Sequence, residues 1–386
     1  MLELVVDLKL LLKNGLNKIF NSKMSFIKKI KNHFLFFKKD KENTVRKKDN
    51  SKEIIFFSFD SFKKVSTKAV YKIHPLFIII KNNKIKILKT LLDLFNNEFN
   101  LKPKVGIELE FYLYKKKKDR KLNEIQTQRI LDNIYKESKK ANINILELDN
   151  EKGAGQFEVR TETYENLQTL SRDIVKLKKI IKSRAKRYGF FADFKAQPFI
   201  DDCGSSLQVN ISLVNENKEN LFERILVDNE KIESDKLLNS VNGLCELMNV
   251  LLPFFVRDES CYERYNLDLN KFLHQAGKYP APTFVSWGVN NRTTAIRIPN
   301  AIFKTVEQYE AEGDRNRRIE HRVPSSNADI YMTLIGVLSG IYYGLKNKSE
   351  GDFKTYSNVF ETKKGFEKIS CNRDLEKFKK ICKLFI

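Results

Sequence analysis

The run VGIELEFYLY (residues 105–114) carries two glutamates at an interval of two. On a β-strand this interval places Glu108 and Glu110 on one face, while the apolar residues between them face the other side. Two adjacent carboxylates on an otherwise apolar strand repel each other unless positive charge lies near them. The run therefore predicts a strand that presents acidic side chains to a cation.

Four further runs alternate in the same way, and their polar faces are selective. They carry carboxylates, guanidiniums and amides but hardly any lysine, in a chain with 71 Lys+Arg. The runs are GQFEVR, SSLQVNISL, TTAIRIP and RRIEHRVP, and their polar residues include Glu158, Gln208, Asn210, Ser212, Arg297, Arg318, Glu320 and Arg322, with Arg292 just upstream of TTAIRIP. A solvated sheet face has no need of this selection, so the runs predict a lined cavity. For any single run, ordinary cross-strand ion pairs remain the alternative.

The run EKGAGQFE predicts a tight turn between two more carboxylates. Gly153 and Gly155 allow the backbone to reverse, so that Glu151 and Glu158 can face one ion from either side of the turn. No GK[ST] follows these glycines, so the run is not a Walker-type phosphate loop.

The residue types on these faces indicate phosphoryl transfer. Carboxylate oxygens suit Mg²⁺ or Mn²⁺, which are both partners of phosphates. Forked arginine donors match phosphate and carboxylate oxygens. Carboxylates, a metal ion, phosphate and arginines are together the components of a phosphoryl-transfer site.

From about residue 101 to 350 the chain resembles the glutamine synthetase family, the ATP-dependent ligases that join a glutamate side-chain carboxylate to ammonia or another amine. The motifs that carry the resemblance occur in the family's order: GIELEFYLY, GAGQFEV, FKAQPFIDDCGSSLQVNISL, VSWGVNNRTTAIRIP and RRIEHRVP. The resemblance implies an α+β fold in which antiparallel strands form an active-site funnel flanked by helices. It also implies Mg²⁺ or Mn²⁺ as cofactor, ATP and glutamate as substrates, and a homo-oligomeric ring.

The resemblance also implies a role for each site residue. Metal ligands would be Glu110, Glu151 and Glu158 at the substrate-orienting ion, and Glu108, Gln208 and Glu320 at the ion that bridges the ATP phosphates. Arg292, Arg297 and Arg318 would stabilise phosphates, Ser212 and Asn210 would contact the nucleotide, and Arg322 would hold the substrate carboxylate. Arg292, Glu110 and Arg322 are the residues expected to act directly in catalysis.

Two departures from the family pattern leave two functions open. Gln208 and Asn210 stand where the family usually has two histidines, and a neutral glutamine carbonyl is a weak ligand for Mn²⁺. In HQAGKYPAP, Pro280 stands for the flap glutamate that helps take a proton from ammonium, and His274 stands roughly for an arginine. His274 is either a substitute base or an ordinary surface residue. The chain is accordingly either a carboxylate–amine ligase, acting on ammonia or a larger amine, or a non-catalytic relative that serves as a nucleotide-binding or assembly protein.

The sequence predicts three regions: a basic extension (1–50), a small α+β region (51–100) and the catalytic domain (101–386). In the small region, IIFFSF and FIIIKNNKIKIL are strand-like, and ILKTLLDLFNNEF is helix-like. In the catalytic domain, apolar residues three or four apart predict a helix that ends near Gly189, and a second, more apolar helix spans residues 327–348.

Composition gives expectations about compartment and partners. The net charge of +22 comes without a nucleic-acid-binding motif, so no nucleic-acid partner is expected. For the basic extension, contact with an anionic membrane surface is the alternative to a solvated extension. Five dispersed cysteines indicate a reducing compartment, and no apolar run has the length of a membrane span, so a cytoplasmic location is expected.

Overall fold

A computed structural model describes residues 75–116, 119–120, 122–300, 314–362, 364–370, 378 and 381. These residues belong to one compact unit, residues 65–386. The basic extension and the strand-like run IIFFSF lie outside the described residues, and so do Cys371 and Cys382.

A mainly antiparallel sheet forms the centre of the described fold. Eight strands of the described ranges form it: β1 (Lys102–Tyr114), β2 (Ile145–Asn150), β3 (Gln156–Thr161), β4 (Phe191–Asp193), β5 (Leu207–Val214), β8 (Trp287–Val289), β9 (Ile296–Ile298) and β10 (Ile319–His321). Between β5 and β8 in the chain, β6 (Ile225–Val227) and β7 (Glu230–Ile232) form a separate two-stranded hairpin. The strand order is β2-β3-β1-β5-β10-β9-β8, with β4 paired to β1 and only β8 and β9 parallel. The predicted fold class, an α+β fold with an antiparallel sheet, is therefore confirmed.

The described ranges also contain helices. They are α1 (Pro75–Asn82), α2 (Lys84–Phe99), α3 (Glu124–Lys140), α4 (Leu167–Arg187), α5 (Asp235–Phe255), α6 (Leu267–Gln275) and α7 (Ile330–Asn347), together with a 3₁₀ helix (Glu259–Tyr265). Of these, α2, α3 and α4 contact strands of the sheet. The alternate residues Ile107, Leu109 and Phe111 of β1 join the helix side chains in one hydrophobic core. The opposite face of the same strand is then left for polar residues, as the alternation predicts.

Helices α5 and α7 pack closely because glycines meet at their crossing. A β-carbon added at Gly243 would overlap the Cα of Gly344, and one added at Gly344 would overlap the carbonyl of Asn239. α5 is long and apolar enough to span a membrane by length and composition, but 83% of its most apolar window is buried inside the fold. Among the described residues it is therefore a core helix.

The two helices predicted in the catalytic domain are confirmed. α4 buries Leu170, Ile174 and Ile181, and Gly189 follows it with a φ of 80°, the left-handed conformation expected of a helix end. α7 is buried along almost its whole length, as its apolar sequence predicts.

The strand prediction for FIIIKNNKIKIL is wrong. Residues 77–82 belong to α1, and residues 84–88 form the first part of α2. Ile87, Leu88, Leu91 and Phe95 are buried on one side of α2, which packs against α7. A short run of β-branched residues does not distinguish a strand from a buried helix, and here the helical spacing continues through residue 95.

Candidate active site

The polar face of β1 lies opposite the polar face of β3. In their antiparallel register, Glu110 pairs with Glu158 and Glu108 pairs with Arg160. On the other edge of β1, Glu108 pairs with Gln208 of β5. Side chains of paired residues project to the same side of a sheet, so these five polar groups share one face.

The turn between β2 and β3 holds Glu151 beside this face. Gly155 has a φ of 77°, and a β-carbon at Gly153 would overlap the hydroxyl of Tyr112. The N–H of Gly153 donates to the side-chain oxygen of Gln156 (3.0 Å), which closes the turn. The backbone N–H of Ala154 donates to Asp202 (2.9 Å), so the turn is also fixed from outside. Both glycines predicted to shape this turn are therefore required by its geometry.

All of the predicted site residues line one cavity of about 600 Å³. They are Glu108, Glu110, Glu151, Glu158, Gln208, Asn210, Ser212, Arg292, Arg297, Arg318, Glu320 and Arg322. Cross-strand ion pairs, the alternative interpretation, do occur among them, but they occur inside this cavity and not on an outer face. Their individual roles remain predictions.

The carboxylates of the cavity interact strongly with one another. Burial, and then the charges of Glu108, Glu110 and Glu151, raise the pKa of Glu158 to about 9. Burial and then Glu110 raise the pKa of Glu151 to about 7. Burial and then Glu320 raise the pKa of Glu108. The cause is the same each time: negative charge is crowded in a poorly solvated space, and a divalent cation would relieve it.

Glu110 is held by neutral donors. Its carboxylate accepts from the N–H of Ser206 (2.8 Å), the hydroxyl of Ser206 (2.5 Å), the amide of Gln208 (2.9 Å) and the amide of Gln156 (3.2 Å). Both oxygens are thereby oriented by three neighbouring side chains. Because the amide nitrogen of Gln208 is used here, its oxygen is the atom left to ligate a cation.

Arginines surround the other end of the acidic group. Arg297 donates to Glu320 (2.7 Å), and the Nε of Arg322 lies 3.3 Å from the other oxygen of Glu320. Arg318 donates to Asn210 (2.8 Å), which in turn donates to Glu108 (3.1 Å). Burial lowers the pKa of Arg322 to about 10, and its Nη1 donates to backbone carbonyls, including that of Thr294 (3.0 Å). Among the described residues its Nη2 makes only a long hydrogen bond, to the carbonyl of Pro280 (3.4 Å), so this nitrogen can still donate to a ligand.

The residues fit an oxygen-ligated divalent cation better at one end than at the other. Glu110, Glu151 and Glu158 offer a carboxylate set of the kind that Mg²⁺ and Mn²⁺ accept. Glu108 and Glu320 have only the neutral side chains of Gln208 and Asn210 as further oxygen ligands, and Glu320 already pairs with two arginines. Within the described part of the chain, no three Asp, Glu, His or Cys side chains already have the spacing of a metal site, so the carboxylates share the cavity without being preassembled around an ion.

The cavity also retains donors for an anionic ligand. The Nε of Arg297 is buried and has no acceptor among the described residues. Arg292 lies at the exposed mouth, with its guanidinium 4.4 Å from the ring centre of Tyr279. A buried, unpaired guanidinium nitrogen is costly unless a ligand oxygen completes it, which fits a phosphate or carboxylate group in the cavity.

Pro280 and His274, the two residues singled out in HQAGKYPAP, lie in different places. Pro280 lines the cavity, and its carbonyl accepts a long hydrogen bond from Arg322 (3.4 Å). His274 is at the end of α6, where its ring packs 5.6 Å from that of Phe360, and it is not among the described residues that line the cavity. Of the two interpretations of His274, its half-buried position outside the cavity favours an ordinary surface residue over a substitute base.

Several cavity residues were missed as site residues from the sequence. Ser206 and Gln156 contact Glu110, and Arg160 contacts Glu158 at 2.8 Å. Arg160 and Gln156 are visible on the polar face of β3, and that signal could have identified them. Ser206 gives the same signal, because it is two residues before Gln208 on the polar face of SSLQVNISL, although its contact with Glu110 depends on how β1 and β5 pair.

Comparison with known proteins decides the family. The sequence profile "Glutamine synthetase, catalytic domain" matches residues 122–373. The chain belongs to the glutamine synthetase family. The resemblance inferred from the five motifs is therefore confirmed.

Individual relatives of this family member are distant. The chain is 28% identical over 270 residues to gamma-glutamylputrescine synthetase PuuA of Escherichia coli, a match that covers 64% of this chain and 52% of that protein. It is 26% identical over 287 residues to a glutamine synthetase of Thermococcus kodakarensis, covering 71% and 58%. The chain thus spans little more than half the length of these curated relatives.

Solved structures support the same fold. Apo GmaS without ligand aligns with a TM-score of 0.58 at 19% identity, covering 77% of this chain and 66% of that one. A cryo-EM structure of Plasmodium falciparum glutamine synthetase aligns with a TM-score of 0.54 at 20% identity, covering 68% and 55%. At this identity the likeness concerns the fold alone.

Proposed function

We propose that this chain is an ATP- and divalent-cation-dependent ligase that activates the side-chain carboxylate of glutamate and joins it to ammonia or another amine. The observation that carries the proposal is the single cavity in which five carboxylates meet a group of arginines. Family membership adds the reaction class. The substrates are proposals, because the chain spans only part of its relatives and is distant from them.

The proposed mechanism divides the work between the two ends of the cavity. A divalent cation bound at Glu110, Glu151 and Glu158 would supply positive charge next to the reacting carboxylate. Arg322 would bind the substrate carboxylate, and Arg297 and Arg318 would neutralise the oxygens of the transferring γ-phosphoryl group. The product of this step is an acyl phosphate, from which an amine displaces phosphate. Pro280 offers no carboxylate to accept a proton, so the amine must enter neutral or lose its proton to another group.

Phosphate release tests this proposal directly. The full chain with ATP, glutamate and Mg²⁺ or Mn²⁺ should release phosphate only when an amine acceptor is present, in a panel that runs from ammonia to polyamines. Absence of turnover with every amine and both metals would contradict a ligase.

Replacement of Glu158 tests the role of the cavity carboxylates. Glu158→Gln should lower kcat by at least about a hundredfold, because it removes a charge that holds the cation against the developing phosphate charge. Glu162→Gln changes an exposed carboxylate on the same segment and should leave the rate unchanged. Equal rates in the two variants would rule out the proposed metal role.

A second function is favoured by two observations, the neutral Gln208 among the carboxylates and the missing acid at Pro280. It is nucleotide binding without turnover. Calorimetry would then detect ATP binding that depends on Arg297 and Arg318, with no phosphate released in the amine panel. Binding together with amine-dependent release would exclude this second function.

A further inference from the structure

The charge in the cavity is not distributed evenly among its carboxylates. Glu110 and Glu151 form no ion pair with a described residue: Glu110 accepts from neutral donors, and Glu151 accepts from the backbone N–H of Lys152 (3.0 Å). Glu108, Glu158 and Glu320, in contrast, all have a guanidinium group within 4.0 Å. The side of the cavity that holds Glu108 and Glu320 thus already contains its own cations.

Arg160 is the cation at the centre of this arrangement. Strand pairing places it opposite Glu108 of β1 and opposite Glu147 of β2. Its guanidinium lies 2.8 Å from Glu158, 2.5 Å from Glu147 and 4.0 Å from Glu108. Three carboxylates from three strands therefore converge on one side chain, whose position is set by the register of the sheet.

Contact with Arg160 limits how Glu158 can bind metal. The Nε of Arg160 donates to Oε1 of Glu158. The positive charge of Arg160 beside Oε1 repels a cation from that oxygen, so Oε2 is the oxygen of Glu158 that a cation would bind while Arg160 is in place. Glu320 is restricted similarly, since Arg297 and Arg322 lie against its two oxygens.

We propose that Arg160 is a built-in counter-ion that takes the place of a second divalent cation in this cavity. Its positive charge lies among Glu108, Glu147 and Glu158, and Arg297 has the same effect at Glu320. The chain then binds one divalent cation tightly, at the end formed by Glu110, Glu151 and the Oε2 atom of Glu158. This inference rests on the proposed function to the extent that the cavity binds a divalent cation at all.

The number of bound Mn²⁺ ions tests the proposal without any measurement of activity. The full chain, stripped with EDTA, is titrated with Mn²⁺ while electron paramagnetic resonance measures free Mn²⁺. The wild-type chain should bind one ion tightly per chain. Arg160→Gln should bind a second ion, with an affinity raised by about ten- to hundredfold over the wild type's second site, because three carboxylates lose their shared cation.

Two matched variants separate the local effect from a general change of charge. Arg172→Gln removes the same charge from an exposed position of α4 and should bind one ion, as the wild type does. Arg160→Lys keeps the charge and should also remain at one. Two tightly bound ions in the wild type, or an unchanged count in Arg160→Gln, would overturn the proposal.

Failure of this inference and failure of the proposed function give different results. The titration contains no ATP, glutamate or amine. If the wild-type chain binds one Mn²⁺, the Arg160→Gln variant binds two, and no amine is turned over, the ligase proposal is contradicted and the counter-ion proposal is supported. If the wild-type chain turns over amines and binds two Mn²⁺ ions tightly, the ligase proposal is supported and the counter-ion proposal is contradicted.

Discussion

Glu110 illustrates how single residues keep a buried carboxylate in place. Its partners are an N–H, a hydroxyl and two amides, which together orient both oxygens without adding charge. Neutral donors leave the carboxylate available to a cation, whereas an arginine would compete with one. The choice of donor type at Glu110 and Glu320 therefore distinguishes the two ends of the cavity.

Ser206→Ala should be destabilising because it removes the hydroxyl that donates to Glu110. We expect the free energy of unfolding to fall by about 1.5–3 kcal/mol, the range for a hydrogen bond to a charged group. Urea denaturation of the EDTA-treated protein measures the change. Ser205→Ala is the control, since the buried hydroxyl of Ser205 has no partner among the described residues and its loss should be nearly neutral. Equal losses in the two variants would contradict this account of Glu110.

At the residue scale, the sequence predicts the members of the cavity better than their contacts. Alternation along each strand puts Glu108, Glu158 and Glu320 on the cavity face, since a strand has only two faces. It does not give the register between strands. The contacts of Ser206 with Glu110, and of Arg160 with carboxylates from three strands, depend on that register and could not be predicted.

At the scale of elements, the turn between β2 and β3 positions Glu151 through its backbone. Gly153→Ala should displace this turn, because the new β-carbon would overlap Tyr112 and lie 2.5 Å from the side-chain oxygen of Gln156. We expect kcat/KM to fall at least about tenfold through misplacement of Glu151. Steady-state kinetics of the amine-dependent reaction measure the effect.

Gly189→Ala is the control for the turn variant. Gly189 also has a positive φ, but no atom lies within 4 Å of the β-carbon it would gain. The substitution should cost about 1–2 kcal/mol of stability through backbone strain and leave the kinetics unchanged. If Gly153→Ala behaved in the same way, the turn would not position a site residue.

The contact between α4 and the segment before α7 predicts a pH effect. Lys178 of α4 donates to the carbonyls of Ser326 and Ala328, and burial lowers the pKa of Lys178 to about 7. Asp329 opposes this shift, while Lys182 and Arg257 add to it. Between about pH 7 and the pKa of an unfolded lysine near 10.4, the unfolded chain binds more protons than the folded chain. Stability should therefore rise with pH across this window.

Lys178→Met measures this contribution. The methionine variant should have a flatter dependence of unfolding free energy on pH between 7 and 9 than the wild type. The difference should be less than the about 1.4 kcal/mol per pH unit of a fully buried group, because the lysine side chain is partly exposed. Parallel curves for the two proteins, obtained by urea denaturation at each pH, would show that Lys178 titrates normally.

Elements were predictable from sequence where periodicity was long. α4 and α7 repeat their apolar residues over five turns or so, and both were predicted with their type correct. The prediction for residues 77–88 failed because the apolar run is short and β-branched, and the helical state of its second half is supported by the packing of α2 against α7. Tertiary contacts of that kind are not encoded in the local pattern.

At the scale of the whole molecule, we expect an assembly of several chains. The resemblance to the glutamine synthetase family implies rings, and one chain has a mass of 45.3 kDa. Size-exclusion chromatography with light scattering should therefore give a multiple of that mass. A mass of one chain at micromolar concentration would contradict the expectation, and ring size is read from the same measurement.

The glycines at the crossing of α5 and α7 have a consequence for how this protein can evolve. Any side chain at Gly243 or Gly344 acts as a wedge between two helices, whatever reaction the molecule performs. A descendant of this protein that lost catalytic activity would still need both glycines to fold, whereas the glutamates of the cavity could be substituted. Comparing how well the glycines and the cavity glutamates tolerate random substitution would therefore show whether selection still maintains catalysis or only the fold.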